Sequence, residues 1–395
     1  MKTIDPLFRK DLKKFGVGNW NECFHCGNCT AICPLTQNGS LFPRNGIRAL
    51  QMGLKSNITK NVDPWLCYYC GECSETCPRD ANPGELMMTL RRYLTSVYDW
   101  TGISRLFYTK KIWEFIFIAI FSVLIILSFI LFLPLTKAVY SNPEIFINSD
   151  GGVKINNLVE GLGNHRFLQI IETGDLIMAL VVGLLLISNI LNMWNKVILS
   201  DKNVHISLIS YFINFWKLLV HFVAQPKFSK CDDKRYWAGH FLLMSGYTIM
   251  FILIVGLLPR FQIEEVKNWY NWQRLLGYYA TFGILFFLIT VLVKRIRRNN
   301  IKLKFSHMSD WLFIILLFLT TVSGILVHIF RINSMPVATY YLYVIHLAVL
   351  VPMIMVEVPF SKWSHLAYRP FAVYFDSLKR DYLKRVQEKQ YKTAA

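Results

Sequence analysis

The sequence predicts an all-α protein in two parts: a small cysteine-rich helical domain, and a bundle of six helices that cross a membrane. Three observations carry this prediction. The stretches "CFHCGNCTAICP" (23–34) and "CYYCGECSETCP" (67–78) share one cysteine spacing. Apolar residues make up 54% of the chain and are concentrated after position 111. That later region contains six apolar stretches close to the ~20 residues that a helix needs to cross hydrocarbon.

The composition changes near "YTKKIWEFIF", which predicts a domain boundary there. Residues 1–110 are expected to form a cytoplasmic domain, residues 111–370 the membrane domain, and residues 371–395 a basic cytoplasmic tail. The first residues lack the apolar stretch of a secretory signal, so the cysteine-rich domain is expected to stay in the cytoplasm. Thiols remain reduced in that compartment, which favours metal binding over a disulfide framework.

Both cysteine stretches read C-x2-C-x2-C-x3-C-P, the run found in two-cluster ferredoxins. In that arrangement three cysteines of one run bind a [4Fe-4S] cluster, and the fourth binds the other cluster. Structural zinc sites use paired C-x2-C units rather than a triple, so zinc is disfavoured. The spacing predicts cluster 1 on Cys23, Cys26, Cys29 and Cys77, and cluster 2 on Cys67, Cys70, Cys73 and Cys33.

The segments beside the motifs have helical periodicity. Ile47, Leu50 and Leu54 recur at helical spacing between the motifs. After the second motif, Pro83 is placed to begin a helix, and Leu86, Leu90 and Leu94 share one face. A ferredoxin built from βαβ repeats would show short strands instead. The pattern therefore predicts an α-helical two-cluster ferredoxin domain.

The six apolar stretches predict membrane-spanning helices, because the backbone of an open strand cannot be satisfied in lipid. Their predicted bounds are 112–134, 174–195, 237–258, 273–293, 309–330 and 337–360. A further apolar stretch, 203–223, is flanked by charge. It predicts a helix that lies in the membrane interface, with a seventh span as the alternative.

Basic residues fix the expected orientation. With the first domain inside, 36 of the 43 Lys and Arg residues fall in segments predicted to face the cytoplasm. This is the distribution of the positive-inside rule. It accounts for the formal net charge of +18 without a nucleic-acid partner.

Histidines in or beside the spans are candidate axial ligands for haem b. His240 and His365 lie at the cytoplasmic ends of the third and sixth spans, and they predict a first haem. His346 lies 19 residues before His365, which is about 28 Å along a helix. A second haem is therefore expected on His346, with either His328 or Met250 as its partner. Lone Cys231 is expected to be structural, and His165 has either a quinone-site or a surface role.

The stretch "CYYCGECSETCPRDANPGELMMTLRRYLTSVYDWTGISRLFY" resembles the C subunits of quinone-interacting membrane-bound oxidoreductase (Qmo) complexes. Those subunits resemble a fusion of two heterodisulfide reductase pieces, its small ferredoxin (the C subunit) and its membrane cytochrome b (the E subunit). "YWAGHFLLMSGY" and "HLAVLVPMIMVEVPFSKWSHLAYRP" are similar to the haem helices of the gamma subunit of respiratory nitrate reductase. His240, His346 and His365 stand in ligand places, whereas Met250 stands where that family has a second histidine.

The resemblance implies electron transfer between menaquinol and cytoplasmic subunits that carry flavin and iron–sulfur clusters and are similar to the A subunit of heterodisulfide reductase. It further implies adenylylsulfate (APS) reductase as the downstream acceptor. Quinone chemistry needs a group that accepts protons. The candidates at the outer and inner span ends are Glu172, Asp175, His328, Arg331, Asp310, Glu357 and Lys362.

Two alternative functions stay open at the sequence level. The first is a heterodisulfide-reductase-type subunit that serves another soluble partner. The second is an iron–sulfur maturation or assembly protein that carries no haem.

Overall fold

The protein is helical throughout the part that the structure describes. This computed structural model describes residues 4–394 except 17, 37–40, 111, 132, 155–156, 159–165, 202–203, 227, 231–233, 258–264 and 299–304. Within these ranges there is no β-strand, only an isolated bridge between Ile147 and Val153. The predicted all-α fold, a dicluster domain followed by membrane helices, is confirmed. His165 and Cys231 lie outside the described residues.

The cysteine-rich domain is made of short helices around one long helix. Its described helices are α1 (Phe8–Leu12), α2 (Asn28–Ile32), α3 (Arg44–Gln51), α4 (Lys55–Thr59), α5 (Asp63–Leu66), α6 (Glu72–Glu75), α7 (Pro83–Tyr98) and α8 (Ile103–Thr109). Helix α7 begins as the sequence predicts: Pro83 occupies the first turn, and the Asn82 side chain accepts a hydrogen bond from the Glu85 backbone N–H.

The apolar face of α7 forms the centre of this domain. Leu86, Leu90 and Leu94 are at most 1% exposed, as their spacing indicates. Ile47 and Leu50 are fully buried on α3, but α3 ends at Gln51. Leu54 therefore reaches the same core from the turn after the helix.

The rest of the chain forms ten further helices among the described residues. They are α9 (Ile112–Leu131), α10 (Leu133–Ser141), α11 (Arg166–Trp194), α12 (Leu208–Val223), α13 (Lys234–Phe251), α14 (Trp272–Arg297), α15 (Met308–Ile332), α16 (Pro336–Pro352), α17 (Val358–Phe360) and α18 (His365–Ala394). Three of them continue into π-helical turns, at Asn195–Leu199, Ile252–Gly256 and Met353–Glu357.

Six helical segments are long and apolar enough to cross a membrane, as predicted. Their bounds are Ile112–Leu131, Ile171–Leu199, Lys234–Gly256, Trp272–Arg297, Met308–Ile332 and Pro336–Phe360. The third span packs on the fourth, the fifth on the sixth, and the sixth on the first. Leucine and isoleucine side chains on the first two spans stay exposed, for example Leu124 and Leu180, as is typical of helices that face lipid.

Helix α12 is shorter than the six spans, at 16 residues. Its Ser210, Asn214 and Leu218 are buried, whereas Leu208 and Phe212 are almost fully exposed. This one-sided apolar surface is the pattern of a helix that lies in the membrane interface.

The C-terminal helix α18 joins the two parts of the molecule. It packs against α5, α11 and α12. Tyr368, Ala372 and Leu378 are buried in the same apolar cluster as the core of the cysteine-rich domain. The predicted basic tail, 371–395, is therefore a helix whose first turns are buried, and only its end is exposed.

Candidate redox centres

The two cysteine motifs fold into the same local shape twice. His25 and Tyr69, at equal places in the motifs, both have positive φ (63° and 56°). Two residues later Gly27 and Gly71 have φ of 94° and 92°, a region that glycine occupies at little cost. Each glycine precedes a short helix, α2 or α6, and these two helices pack against each other. The repeat in sequence is thus a repeat in structure.

The thiols gather in two groups that exchange their fourth members. Burial raises the pKa of the Cys29 thiol, and the nearby thiols of Cys23, Cys26 and Cys77 raise it further. Burial likewise raises the pKa of Cys73, and the thiols of Cys67, Cys70 and Cys33 raise it further, followed by Cys29 of the first group. The structure therefore brings together the two sets of four that the spacing predicts.

The second group surrounds a pocket. Cys33, Cys67, Cys70 and Cys73 all line it, together with Gly71 and Gly84. Burial raises the pKa of Cys33 to about 12, so a metal must displace protons to bind here. In the described ranges no three His, Cys, Asp or Glu side chains converge closely enough for a single ion. Four thiols spread around a space fit a multi-iron cluster better than one zinc ion.

Donors around the thiolates favour negative charge. The Tyr69 N–H lies 3.3 Å from Cys67 Sγ, and the Ala81 N–H lies 3.4 Å from Cys77 Sγ. Two guanidinium groups, those of Arg91 and Arg369, donate to the Cys67 carbonyl oxygen. Hydrogen bonds and positive charge of this kind raise the reduction potential of an iron–sulfur cluster.

Residues 22–81 match the family model of the 4Fe-4S dicluster domain. This stretch contains all eight motif cysteines, so the chain carries an iron–sulfur dicluster domain.

Three curated relatives match part of the chain. A protein of Archaeoglobus profundus that is named as similar to the C subunit of heterodisulfide reductase is 35% identical over 88 residues, which is 22% of this chain and 47% of the relative. The C subunits of the H(2):CoB-CoM heterodisulfide,ferredoxin reductases of Methanothermobacter marburgensis and Methanothermobacter thermautotrophicus are each 37% identical over 64 residues, which is 16% of this chain and 35% of each relative. The match thus spans less than half the length of each relative. No solved structure matches the chain.

A second pocket lies next to the dicluster domain, and two predicted haem ligands line it together. His240, near the start of the third span, and His365, the first residue of α18, face this pocket with Met244 and Tyr247. His365 Nδ1 lies 2.6 Å from the Lys362 carbonyl oxygen. A carbonyl oxygen only accepts, so Nδ1 carries the proton and Nε2 keeps a free lone pair.

The surroundings of each imidazole suit an axial haem ligand. Burial lowers the pKa of His365 to about 3, so its ring is neutral under physiological conditions. The His240 ring packs edge-on against Phe228 and Phe287, with centroid distances of 5.5 and 5.8 Å. Two imidazoles that line one pocket fit the ligand set of a b-type haem.

The residues predicted for a second haem are held separately. His346 Nδ1 lies 2.9 Å from the Ser323 hydroxyl, and the backbone of Gly324 passes close to the same ring. His328 Nε2 lies 2.9 Å from the Tyr278 hydroxyl. Met250 is half-buried on the third span. The structure thus gives His346 and His328 different hydrogen-bond partners.

A buried network of charged groups was not predicted from the sequence as a unit. It joins Asp310, Glu357 and Lys362, which were separate quinone-site candidates, with Glu85 and Arg92, and through Ser361 with Glu114. Two quinone-site candidates at the outer span ends, Glu172 and Asp175 of the second span, are exposed and not part of this buried network. A carboxyl in an otherwise apolar span, as at Glu114, was the available signal in the sequence.

Proposed function

We propose that this protein is the membrane subunit of a respiratory oxidoreductase complex that passes electrons between menaquinol and cytoplasmic flavin- and iron–sulfur-containing subunits. The observation that carries the proposal is that one residue lines both pockets. Tyr68 lines both the pocket of Cys33, Cys67, Cys70 and Cys73 and the pocket of His240 and His365. Two redox groups held in these pockets would be separated by a single aromatic side chain.

The proposed ligands follow the predicted assignment. Cys23, Cys26, Cys29 and Cys77 hold one [4Fe-4S] cluster, and Cys67, Cys70, Cys73 and Cys33 hold the other. His240 and His365 hold the first haem b, and His346 with His328 or Met250 holds a second. When bound, these groups supply one-electron transfer between a two-electron quinol and a two-electron flavin.

Contacts within the chain fix the position of one pocket relative to the other. The Arg369 guanidinium lies 4.0 Å from the centre of the Tyr68 ring, 3.2 Å from the Trp65 carbonyl oxygen, and against the Cys67 carbonyl. Arg369 lies one turn after His365 on α18. The helix that presents a proposed haem ligand therefore also contacts the second cysteine motif. Tyr68 stacks on Phe228, centroid to centroid 4.8 Å, which closes the boundary between the pockets to water.

The opposite side of the dicluster domain is open to a partner. Cys26 is exposed, and the neighbouring Phe24 is 61% exposed. Because a cluster ligand is exposed here, this is the surface where we propose that a partner docks. The proposed partners are flavin and iron–sulfur subunits similar to the A subunit of heterodisulfide reductase, with APS reductase further downstream, as in Qmo complexes.

The proposed location is the cytoplasmic membrane, with the dicluster domain and the C-terminal helix on the cytoplasmic side. The distribution of Lys and Arg supports this orientation. The three relatives, whose names refer to the C subunit of heterodisulfide reductases, favour one alternative: a protein of that type that serves another soluble partner.

The test is spectroscopy of the protein purified from membranes together with its co-purifying subunits. We expect about eight iron atoms in clusters, b-type haem bands in the reduced-minus-oxidised spectrum, and reduction of that haem by a menaquinol analogue. Absence of haem bands with intact clusters would instead identify a haem-free maturation protein. Haem that stays oxidised with every quinol would refute the quinone link.

Ligand variants test the first haem directly. His240→Ala and His365→Ala should each remove the same haem bands, because both rings line one pocket. His205→Ala is the matched control, since His205 is an exposed histidine that lies outside that pocket. Loss of two different haems in the first two variants would contradict the pairing.

A further inference from the structure

Two carboxyl groups are fully buried at the cytoplasmic end of the membrane bundle. Glu114, near the start of the first span, and Glu357, near the end of the sixth, are both 0% exposed. The Ser361 hydroxyl donates to Glu114 Oε1, and it also contacts the Glu357 carboxyl. The Lys362 backbone N–H donates to Glu357 Oε2 at 3.2 Å. The two side chains thus meet around one short turn.

Each carboxyl has one oxygen that this surrounding leaves unsatisfied. Glu114 Oε2 and Glu357 Oε1 are buried and have no hydrogen-bond partner among the described residues. A buried oxygen of this kind costs free energy unless a proton or another donor reaches it. Two carboxylates side by side in a medium of low dielectric constant do not both ionise, so the pair holds at least one proton.

The backbone of the sixth span places Glu357 at this point. The span changes from an α-helix to a π-helical turn at Met353–Glu357, directly after Pro352. A π-helical turn inserts an extra residue and rotates the residues after it, and such turns are frequent at functional sites. Glu357 is the last residue of that turn.

A chain of polar contacts joins the pair to the cysteine pocket. The Tyr69 hydroxyl donates to Glu85 at 3.0 Å, and Arg92 donates to the same carboxylate at 2.6 Å. Arg92 also lies 3.9 Å from Asp310, which is ion-paired with Lys362. Tyr69 stands between Cys67 and Cys70. Hydrogen bonds and ion pairs thus lead from the cysteine motif to Lys362, whose side chain pairs with Asp310 and whose backbone N–H donates to Glu357.

The charged groups around the pair decide how much negative charge it can hold. Two cations, Arg92 and Lys362, face two carboxylates, Glu85 and Asp310. Further groups reach the site from the other packed elements: Tyr108 of α8 faces both glutamates, His307 packs on Tyr108, and Arg295 of the fourth span faces Asp310. With Arg295, three cations face the two carboxylates of Glu85 and Asp310, so one negative charge on the pair is balanced and a second would be in excess. An added electron nearby makes even that first charge on the pair less favourable.

We propose that Glu114 and Glu357 are a proton-binding site that takes up one proton when an electron reaches the metal group held by Cys33, Cys67, Cys70 and Cys73. This inference rests on the proposed function. The electron comes from a quinol and the proton from cytoplasmic water. One O–H bond forms on a carboxylate oxygen, so the site gains one electron and one proton with no net charge. When the electron leaves for the partner subunit, the O–H bond breaks and the proton returns to water.

The test is a redox titration of the full-length protein in lipid nanodiscs, followed by the electron paramagnetic resonance of the clusters. We expect the midpoint potential of the cluster on Cys33 and Cys67 to fall as pH rises. If one proton is taken up for each electron, the largest possible slope is a tenfold change in the ratio of oxidised to reduced cluster per pH unit. That change corresponds to about 59 mV for one electron. Glu114→Gln and Glu357→Gln should each reduce this slope, and the double variant should abolish it.

Glu75→Gln is the matched control. Glu75 is an exposed carboxylate on α6, two residues from Cys73 and Cys77, and its loss should leave the slope unchanged. A slope that persists in the double variant, or that is absent from the unmodified protein, overturns the inference while the cluster signals themselves uphold the proposed function. Absence of any cluster signal refutes the proposed function instead.

A second measurement decides the case if the double variant does not assemble. Reduced-minus-oxidised infrared spectra of the unmodified protein should show a gain in the carbonyl stretch of a protonated carboxyl, with a shift in D2O. Glu114→Gln and Glu357→Gln should each weaken that band. A spectrum with no such band on reduction overturns the inference.

Discussion

Arg92 is predicted to be the most costly single side chain to remove from the dicluster domain. Its guanidinium lies 2.6 Å from Glu85, and the side chains of both residues are 5% exposed. Arg92→Met leaves the Glu85 carboxylate buried without its cation. Breaking a buried ion pair from one side typically costs about 3–5 kcal/mol, because the remaining charge stays desolvated. Arg92 also lies 3.9 Å from Asp310, so the upper part of this range is expected.

The same domain contains a control pair at its surface. Arg79 lies 3.3 Å from Glu22, with side chains 57% and 54% exposed. An exposed pair of this kind contributes about 0–1 kcal/mol, so Arg79→Met should be nearly neutral. The measurement is urea-induced loss of the cluster absorbance, with full-length protein in detergent. If Arg92→Met lowers the unfolding midpoint no further than Arg79→Met does, the buried pair does not stabilise the domain as argued.

The partner residue gives a second check and a pH dependence. Arg92→Met combined with Glu85→Gln should be milder than Arg92→Met alone, because no unpaired charge is then buried. Burial raises the pKa of Glu85, and Arg92 opposes that shift. Without Arg92 the folded chain binds this proton more tightly than the unfolded chain. The single variant should therefore lose stability as pH rises above about 4.3, the usual value for glutamate.

Three further predictions concern the cysteine motifs and their supports. Cys33→Ser should damage the cluster held by the second motif and Cys77→Ser the cluster held by the first, as read by electron paramagnetic resonance; the reverse pattern would refute the exchange of fourth ligands. Arg369→Met should lower the reduction potential of the second-motif cluster, because it removes a cation from the Cys67 carbonyl. An unchanged potential would show that this cation does not affect the cluster. Asn82→Ala should cost about 1–2 kcal/mol in thermal unfolding, since it removes the cap of α7, and a smaller loss would show that the cap is dispensable.

The spans were predictable because lipid imposes one length and one composition on each of them. Predicted and observed bounds agree to within four residues, for example 174–195 against Ile171–Leu199. The differences fall at span ends, where charged residues continue a helix beyond its apolar part. In the fourth span Lys294, Arg295 and Arg297 extend the helix past its predicted end at 293.

The grouping of the cysteines could also be predicted, because ligand spacing is a local property that can be read directly from the sequence. The buried charge network was not, since it depends on which span packs beside which. Glu114 and Glu357 are 243 positions apart, and only the packing of the first span on the sixth makes them neighbours. The burial of α18 was missed for a similar reason: the basic residues of 379–392 hid the apolar turns before them.

The position of α18 has a consequence for biogenesis. Translation reaches His365, Arg369 and the buried turns up to Leu378 only after every span has been synthesised. Neither the histidine pocket nor the surface on which the dicluster domain packs is complete before that moment. A ribosome-bound precursor that ends after the sixth span therefore has no finished junction between its two halves. Formation of this junction is therefore a late step in the assembly of the folded chain.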